Sequence, residues 1–280
     1  MIVSNSDQKE KINELKTELI KLGKYDETAL PDDVLLRYLR ARRFDVSKAL
    51  KMLLESIQWR IDFKVDEIVK SFAFPEGKEV KKIYPRFYHK TDLKGRPLYI
   101  EQLGNADTKT LFKLSTPERL LQVYVRDMEK VLNYRFKACS KKFGKHIDQG
   151  CTILDLKGVP LMQFNECRKI LQQVLGIAQN HYPETMGKLF IINAPTLFKG
   201  VWTLVKPLLD ENTVAKISLL SSNYEAAVVE EIGRDNLPSI YGGNCKCPGG
   251  CEKSDVGPWN DGTVSGYPNE FWENMEDRDK

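Results

Sequence analysis

Arg86-Phe87-Tyr88-His89-Lys90, Asp92-Leu93-Lys94-Gly95 and Pro97-Leu98-Tyr99-Ile100-Glu101-Gln102-Leu103 form the stretch on which the fold turns. Before it, apolar residues recur every three or four positions. Within it they fall in short strand-like runs joined by a Gly-containing link, a pattern that predicts a β-hairpin. Further along, Cys151-Thr152-Ile153-Leu154-Asp155-Leu156, Leu189-Phe190-Ile191-Ile192-Asn193 and Ile217-Ser218-Leu219-Leu220 have the apolar density of buried strands. Helical segments at 161–180 and 197–209 separate them, and alternation of strands and helices implies an α/β sheet. Thr116-Pro117-Glu118 opens a long helix through Leu120, Leu121, Val125, Met128 and Leu132, with Thr as N-cap and Pro at the first helical position.

Toward the N-terminus, Ile12, Leu15, Leu19 and Leu22 mark a surface helix that Gly23 stops. Asp32-Asp33 is expected to cap a second helix, Val34 to Arg43. Asp45 or Ser47 should cap a third through Leu50, Leu53, Leu54, Ile57 and Trp59. The expected organisation is therefore a helical lobe at 1–73, a turn at Phe74-Pro75-Glu76-Gly77, a sheet domain at 74–245, and an irregular tail at 246–280 rich in Gly, Pro, Asp and Asn.

Composition narrows the function. The chain has 280 residues, 41% of them hydrophobic and 29% charged, which fits an ordinary globular protein. With 43 basic against 39 acidic residues, the charge is too balanced for a nucleic-acid binder. No apolar run is long enough to span a bilayer, and Met1 to Glu10 does not read as a secretory signal, so the expected compartment is the cytoplasm, with its six cysteines reduced. Dinucleotide, Walker A and Ser-hydrolase motifs are absent, and no nucleophile–base pattern takes their place. Neither a catalytic residue nor a cofactor is expected. His89, His146 and His181 include no closely spaced pair for a metal. Cys245-x-Cys247-x-x-x-Cys251 provides three ligands, one short of a structural zinc site, and is read as free thiols with no metal.

A set of spaced motifs carries more. Leu35-Leu36-Arg37-Tyr38-Leu39-Arg40-Ala41-Arg42-Arg43-Phe44-Asp45-Val46 with Trp59-Arg60 is the first. Tyr84-Pro85-Arg86 through Asp92, Gly95-Arg96-Pro97, and Cys151 through Gly158 follow. Tyr182-Pro183-Glu184-Thr185-Met186-Gly187-Lys188, Ile191-Ile192-Asn193-Ala194-Pro195, Leu237-Pro238 and Gly242-Gly243 complete the series. In this order they resemble the CRAL-TRIO lipid-binding family, and within it the phosphatidylinositol/phosphatidylcholine transfer branch.

The resemblance implies an N-terminal helical lobe followed by a mixed five- to six-stranded sheet that floors a phospholipid pocket closed by a gate helix. It implies a monomeric, non-enzymatic carrier that exchanges phosphatidylinositol between membranes and presents it to a lipid kinase. The partners would be a phospholipid and, transiently, Golgi or endosomal surfaces. By motif matching, Arg42, Glu184, Thr213 and Lys216 would hold the inositol-phosphate headgroup: Arg and Lys as charged donors, Thr as a neutral one, Glu as acceptor. Tyr88, Tyr99 and Thr152 would serve phosphatidylcholine, although Gly150 stands where the family has a serine. Thr185 replaces a common Arg beside Glu184. Phe198, Val201, Trp202, Val205 and Leu208 belong to the gate segment; taken alone, the segment reads as a plain core helix, and the resemblance is what makes it a gate. The same fold also carries sterols, tocopherols and retinoids, a competing reading that the charged set disfavours.

Overall fold

In the computed structural model, residues 5–159 and 164–275 are described. The expected helix start at 161 and the tail residues 276–280 lie outside them. The elements, in order, are α1 (Asn5–Lys21), α2 (Asp32–Ala41), α3 (Val46–Asp62), α4 (Val65–Ser71), α5 (Gly77–Ile83), β1 (Arg86–Thr91), β2 (Pro97–Gln102), α6 (Thr108–Leu114), α7 (Pro117–Lys130), α8 (Phe136–Phe143), β3 (Gly150–Asp155), α9 (Phe164–His181), β4 (Met186–Ile192), α10 (Phe198–Val205), α11 (Glu211–Ala215), β5 (Ile217–Leu219), α12 (Glu225–Ile232), α13 (Cys251–Ser254) and α14 (Glu270–Glu273). By contact density the chain forms two compact units. One is Met1–Asp66 with Gly176–Thr185; the other is Glu67–Leu175 with Met186–Lys280.

In the first unit α1, α2 and α3 bury the residues their helical spacing brings to one side: Ile12, Leu15 and Leu19 from α1, Leu35, Tyr38 and Leu39 from α2, Ala49, Met52 and Leu53 from α3. Asp45 caps α3 by accepting from the Lys48 amide. Asp32 and Asp33 do not cap α2: Pro31 holds the N-cap position, and both carboxylates lie inside the first turn, where they complement the helix dipole. The hydroxyl of Tyr38 lies 2.8 Å from the Ser56 hydroxyl and 3.1 Å from the His181 carbonyl oxygen. The His181 ring stacks on Trp59 at 4.0 Å, fixing the 176–185 segment against α2 and α3.

The second unit is built on a five-stranded sheet in the order β1-β2-β3-β4-β5. The hairpin β1–β2 is antiparallel, and β2 through β5 run parallel. Its turn is set by Asp92, whose carboxylate accepts from the Lys94 and Arg96 amides and pairs with the Arg96 guanidinium at 2.6 Å. Thr116 caps α7 with Pro117 in its first turn, as the sequence predicts. A π-helical segment, Val131–Arg135, then links α7 to α8.

Strand alternation gives the sheet two unlike faces. Phe87, Leu98, Ile100, Cys151, Ile153, Phe190 and Ile192 are buried in a core shared with Val228 and Ile232 of α12 and with Tyr241. On the opposite face Arg86, Tyr88, Tyr99, Glu101, Thr152, Leu154 and Leu189 keep accessible surface.

Candidate functional site

The accessible face carries a row of side chains fixed by strand register. Tyr88 stands opposite Tyr99 across the hairpin, and Tyr99 is registered with Thr152 on β3. The two phenol rings are 5.0 Å apart. The family resemblance selected these three residues, and the structure brings them together on three adjacent strands. Burial pushes the Tyr88 phenol up to about 12 and Tyr99 well above its ordinary value. Both phenols are desolvated by their surroundings yet keep some accessible surface. Gly150, two residues before Thr152, is also partly accessible; a Cβ built on it meets nothing nearer than the Pro97 carbonyl oxygen at 3.6 Å.

Charged neighbours that the sequence reading did not select surround this row. The Arg135 guanidinium lies 4.0 Å from the centroid of the Tyr88 ring and pairs with Asp255 at 3.2 Å. Arg86 stands across from Glu101 and pairs with Asp127 at 3.5 Å, while the Tyr84 hydroxyl donates to Glu101. Strand parity alone could have placed Arg86 and Glu101 beside the tyrosines. Arg135 lies in the π-helical segment, whose altered register no simple periodicity predicts.

The four headgroup residues fall in two units and are described separately. In the first unit, Arg42 is the C-cap of α2, half-buried, its guanidinium donating to the Ala41 carbonyl at 3.1 Å. Arg43 and Phe44 follow with left-handed backbone, φ 53° and 62°. Glu184 is likewise left-handed, φ 58°, in a turn that the Thr185 hydroxyl closes by donating to the Tyr182 carbonyl at 3.0 Å. A non-glycine residue held at positive φ stores strain, a state that clusters at ligand-binding positions. Thr185, where the family commonly has Arg, thus braces the turn that carries Glu184.

In the second unit, Thr213 and Lys216 belong to α11 and its C-cap. Asp210 caps this helix, accepting from the Thr213 amide at 2.9 Å and the Thr213 hydroxyl at 2.5 Å. Desolvation pushes the Asp210 carboxyl up, but the Thr213 hydrogen bonds outweigh it and, with the Lys216 charge, hold it below its ordinary range. The Thr213 proton is committed to Asp210, so toward a ligand the hydroxyl presents acceptor lone pairs. Lys216 is half-buried, and its backbone carbonyl accepts from the Leu189 amide at 3.0 Å, which joins α11 to β4.

The gate segment is shorter than the expected 197–209 helix. α10 ends at Val205, and Pro207 forces a 3₁₀ turn over Lys206–Leu208 before the chain becomes extended at Leu209. No residue of α10 is buried. Phe198, Val201, Trp202 and Val205 are partly accessible, and Leu197, Leu204 and Leu208 are exposed. The plain core-helix alternative therefore does not describe this segment.

Among the described residues one group has donors suited to a metal: His89 with Cys245, Cys247 and Cys251. The strand's alternation turns His89 away from the face that carries Tyr88.

Comparison with known proteins agrees with this architecture. The CRAL/TRIO N-terminal domain matches residues 9–55, and the CRAL/TRIO domain matches residues 81–243. The Sec14 cytosolic factor of Schizosaccharomyces pombe is 48% identical over 257 residues, covering 92% of this chain and 89% of that protein. The SEC14 cytosolic factor of Kluyveromyces lactis is 42% identical over 261 residues, with 92% and 86% covered. A phosphatidylinositol/phosphatidylcholine transfer protein of Arabidopsis thaliana, SFH7, is 44% identical over 231 residues; these are 81% of this chain but 42% of that longer protein. The crystal structure of Sfh5 superposes with a TM-score of 0.71 at 19% identity, covering 99% of this chain and 98% of that one, a likeness of fold. With matched domains spanning most of its length and relatives of this identity, the chain belongs to the CRAL/TRIO family.

Proposed function

We propose that this protein binds a phospholipid and carries it between membranes, with phosphatidylinositol as its preferred cargo. The observation that carries the reading is the accessible sheet face. The Tyr88, Tyr99 and Thr152 row gathers three polar side chains on a face that keeps accessible surface, a combination suited to a lipid headgroup. The names of the relatives point the same way. In the first unit Arg42 offers a cation to a phosphate and Glu184 an acceptor to hydroxyls; in the second, Lys216 offers a cation and Thr213 a hydroxyl. A neutral sterol or tocopherol has no use for this charged set.

Phosphatidylcholine is the weaker cargo in this reading, for two physical reasons. Gly150 lacks the hydroxyl that would join Thr152 in binding a phosphate. Arg135 occupies one face of Tyr88, the kind of surface a choline cation prefers. Two apolar faces on α10 suit a gate that covers acyl chains and meets the bilayer when it opens. The carrier works as a monomer from the cytosol, visits Golgi or endosomal membranes transiently, and hands phosphatidylinositol to a lipid kinase.

Transfer of labelled lipids between vesicles tests this. Lys216→Ala and Glu184→Ala should each slow phosphatidylinositol transfer about tenfold or more, the value of a charge-assisted hydrogen bond, with little change in melting temperature. Gly150→Ser should raise phosphatidylcholine binding relative to phosphatidylinositol, because a Cβ at this position makes only ordinary contacts. Unaltered phosphatidylinositol transfer in both alanine variants would remove the headgroup assignment.

A further inference from the structure

The fold brings together four metal donors that lie 162 residues apart at their extremes: His89 on β1 and three thiols in the loop that follows the sheet. We propose that His89, Cys245, Cys247 and Cys251 form a structural zinc site that fastens this loop to the edge strand.

The geometry is that of a single tetrahedral ion. One ring nitrogen of His89 and the three sulfurs lie within 4.8 Å of one another, and the Cys245 and Cys247 sulfurs are 3.7 Å apart. Zinc–sulfur bonds of about 2.3 Å put the edge of a tetrahedron near 3.8 Å, so the thiols need to move little. Three cysteines and one histidine are a donor set of structural zinc, whereas magnesium and calcium take oxygen. None of the three thiols is in a disulfide.

His89 supplies the independent observation. Its side chain is fully buried, and Nε2 has no hydrogen-bond partner. The other ring nitrogen, Nδ1, lies 3.2 Å from the Ser254 hydroxyl. That hydroxyl donates its own proton to the Cys251 carbonyl at 2.9 Å, so in the neutral ring Nδ1 must carry a proton and donate to it. Nε2 is then left with a lone pair and no hydrogen to receive it. A buried lone pair of this kind is costly to leave unsatisfied. A metal-bound imidazole has the same arrangement, one nitrogen on the ion and the other held by a neighbour that fixes the tautomer.

The backbone is shaped for the loop to return. Gly249 and Gly250 have φ of 78° and 103°, which L side chains rarely adopt, and they reverse the chain between Cys247 and Cys251. The Cys247 amide donates to the Cys251 sulfur at 3.5 Å, a bond that strengthens when the sulfur is a thiolate. Cys251 also sits 3.5 Å from the Cys245 carbonyl, to which its thiol can donate in the metal-free protein. Binding replaces that contact: the three thiols release three protons to solvent as three Zn–S bonds form, and Nε2 adds the fourth bond with no proton change. Cys245 is itself anchored, its amide bonded to the Leu237 carbonyl at 3.1 Å and its carbonyl to the Ser239 amide at 3.0 Å.

The site reaches the lipid-facing side of the sheet through covalent neighbours. Asp255, next after α13, pairs with Arg135, the residue that lies over Tyr88. An ion at His89 thus secures both the core face of β1 and the tail residue that positions a cation on its accessible face.

The full-length protein, purified with reductant and passed through chelating resin, should retain one zinc per chain by elemental analysis and native mass spectrometry. Replacement by Co²⁺ should give the visible absorption of a tetrahedral thiolate site with sulfur-to-metal charge transfer. His89→Ala and Cys251→Ser should lower bound zinc below about one tenth per chain, whereas Cys167→Ser keeps it at one. Because the cobalt spectrum is read on the unaltered protein, a variant that fails to fold does not decide the matter. A wild-type protein that binds neither ion, that shows a disulfide among these three cysteines in place of metal, or whose His89→Ala form keeps a full zinc complement overturns the proposal.

Discussion

α10 and the tail from Cys251 to Met275 exchange the roles their compositions advertise. α10 is mostly apolar, yet none of its residues is buried. The tail is rich in Gly, Pro, Asp and Asn, yet Trp259 and Met275 are completely buried. Trp259 packs with Tyr134, Phe136 and Cys139, donates from its indole nitrogen to the Asp255 carbonyl at 2.8 Å, and accepts at its own carbonyl from the Tyr134 hydroxyl at 2.6 Å. Hydrophobicity states what a side chain gains by leaving water. It does not say whether the fold or a ligand supplies the shelter. A few large anchors hold an irregular tail, and an apolar helix that the protein itself does not bury is available to a lipid.

The largest effect expected from this contrast is on exchange. A crosslink that pins α10 to the sheet should abolish transfer between vesicles while preloaded lipid stays bound, whereas a crosslink that pins the tail should leave transfer intact, since the tail is already fixed. Undiminished transfer by the pinned α10 protein would erase the distinction between the two regions.

Next come two tryptophans of opposite character. Trp259→Ala should cost about 3–5 kcal/mol of stability, the range for emptying a large buried site. Trp202→Ala should cost less than about 1 kcal/mol, as for a side chain outside the core, but slow transfer and remove a fluorescence change on adding vesicles. Denaturant unfolding and transfer rates measured side by side check both. Similar losses of stability would mean that α10 is core after all.

How much of this was legible depended on the range of the interaction. Local signals carried through: Thr116-Pro117 opens a helix, Asp45 caps one, and the Asp92 turn joins two strands, because each is decided within about four residues. The family resemblance went further, selecting Tyr88, Tyr99 and Thr152, although the register that aligns them had to come from the sheet. Pro207 was a readable stop signal for α10, and the longer helix overlooked it. Asp210 was a readable N-cap for α11 as well. His89 had no local signal. It meets Cys245, Cys247 and Cys251 only because β1 is an edge strand and the tail returns along it, for which spacing in the sequence holds no trace. The same long-range return puts Asp255 beside Arg135.

The smallest effect concerns how α10 opens. It has eight residues, no side-chain N-cap, no buried side chain, and Gly200 within its span. Each of these lowers local helix stability, and a helix this short is marginal without tertiary packing. Such a segment sits at the low end of local unfolding free energies, so the easiest opening motion is partial unwinding rather than rigid rotation. Gly200 offers a clean way to change that balance. A Cβ built there meets nothing within 4 Å, so alanine adds no clash. It should stabilise the helix by about 0.5–1 kcal/mol through reduced backbone freedom in the unwound state. If unwinding limits exchange, Gly200→Ala slows transfer about two- to fivefold and slows amide exchange across Phe198–Val205, with the melting temperature nearly unchanged and the tail around Trp259 unaffected. A transfer rate equal to that of the unaltered protein, alongside slower amide exchange, would show that α10 swings open as an intact helix.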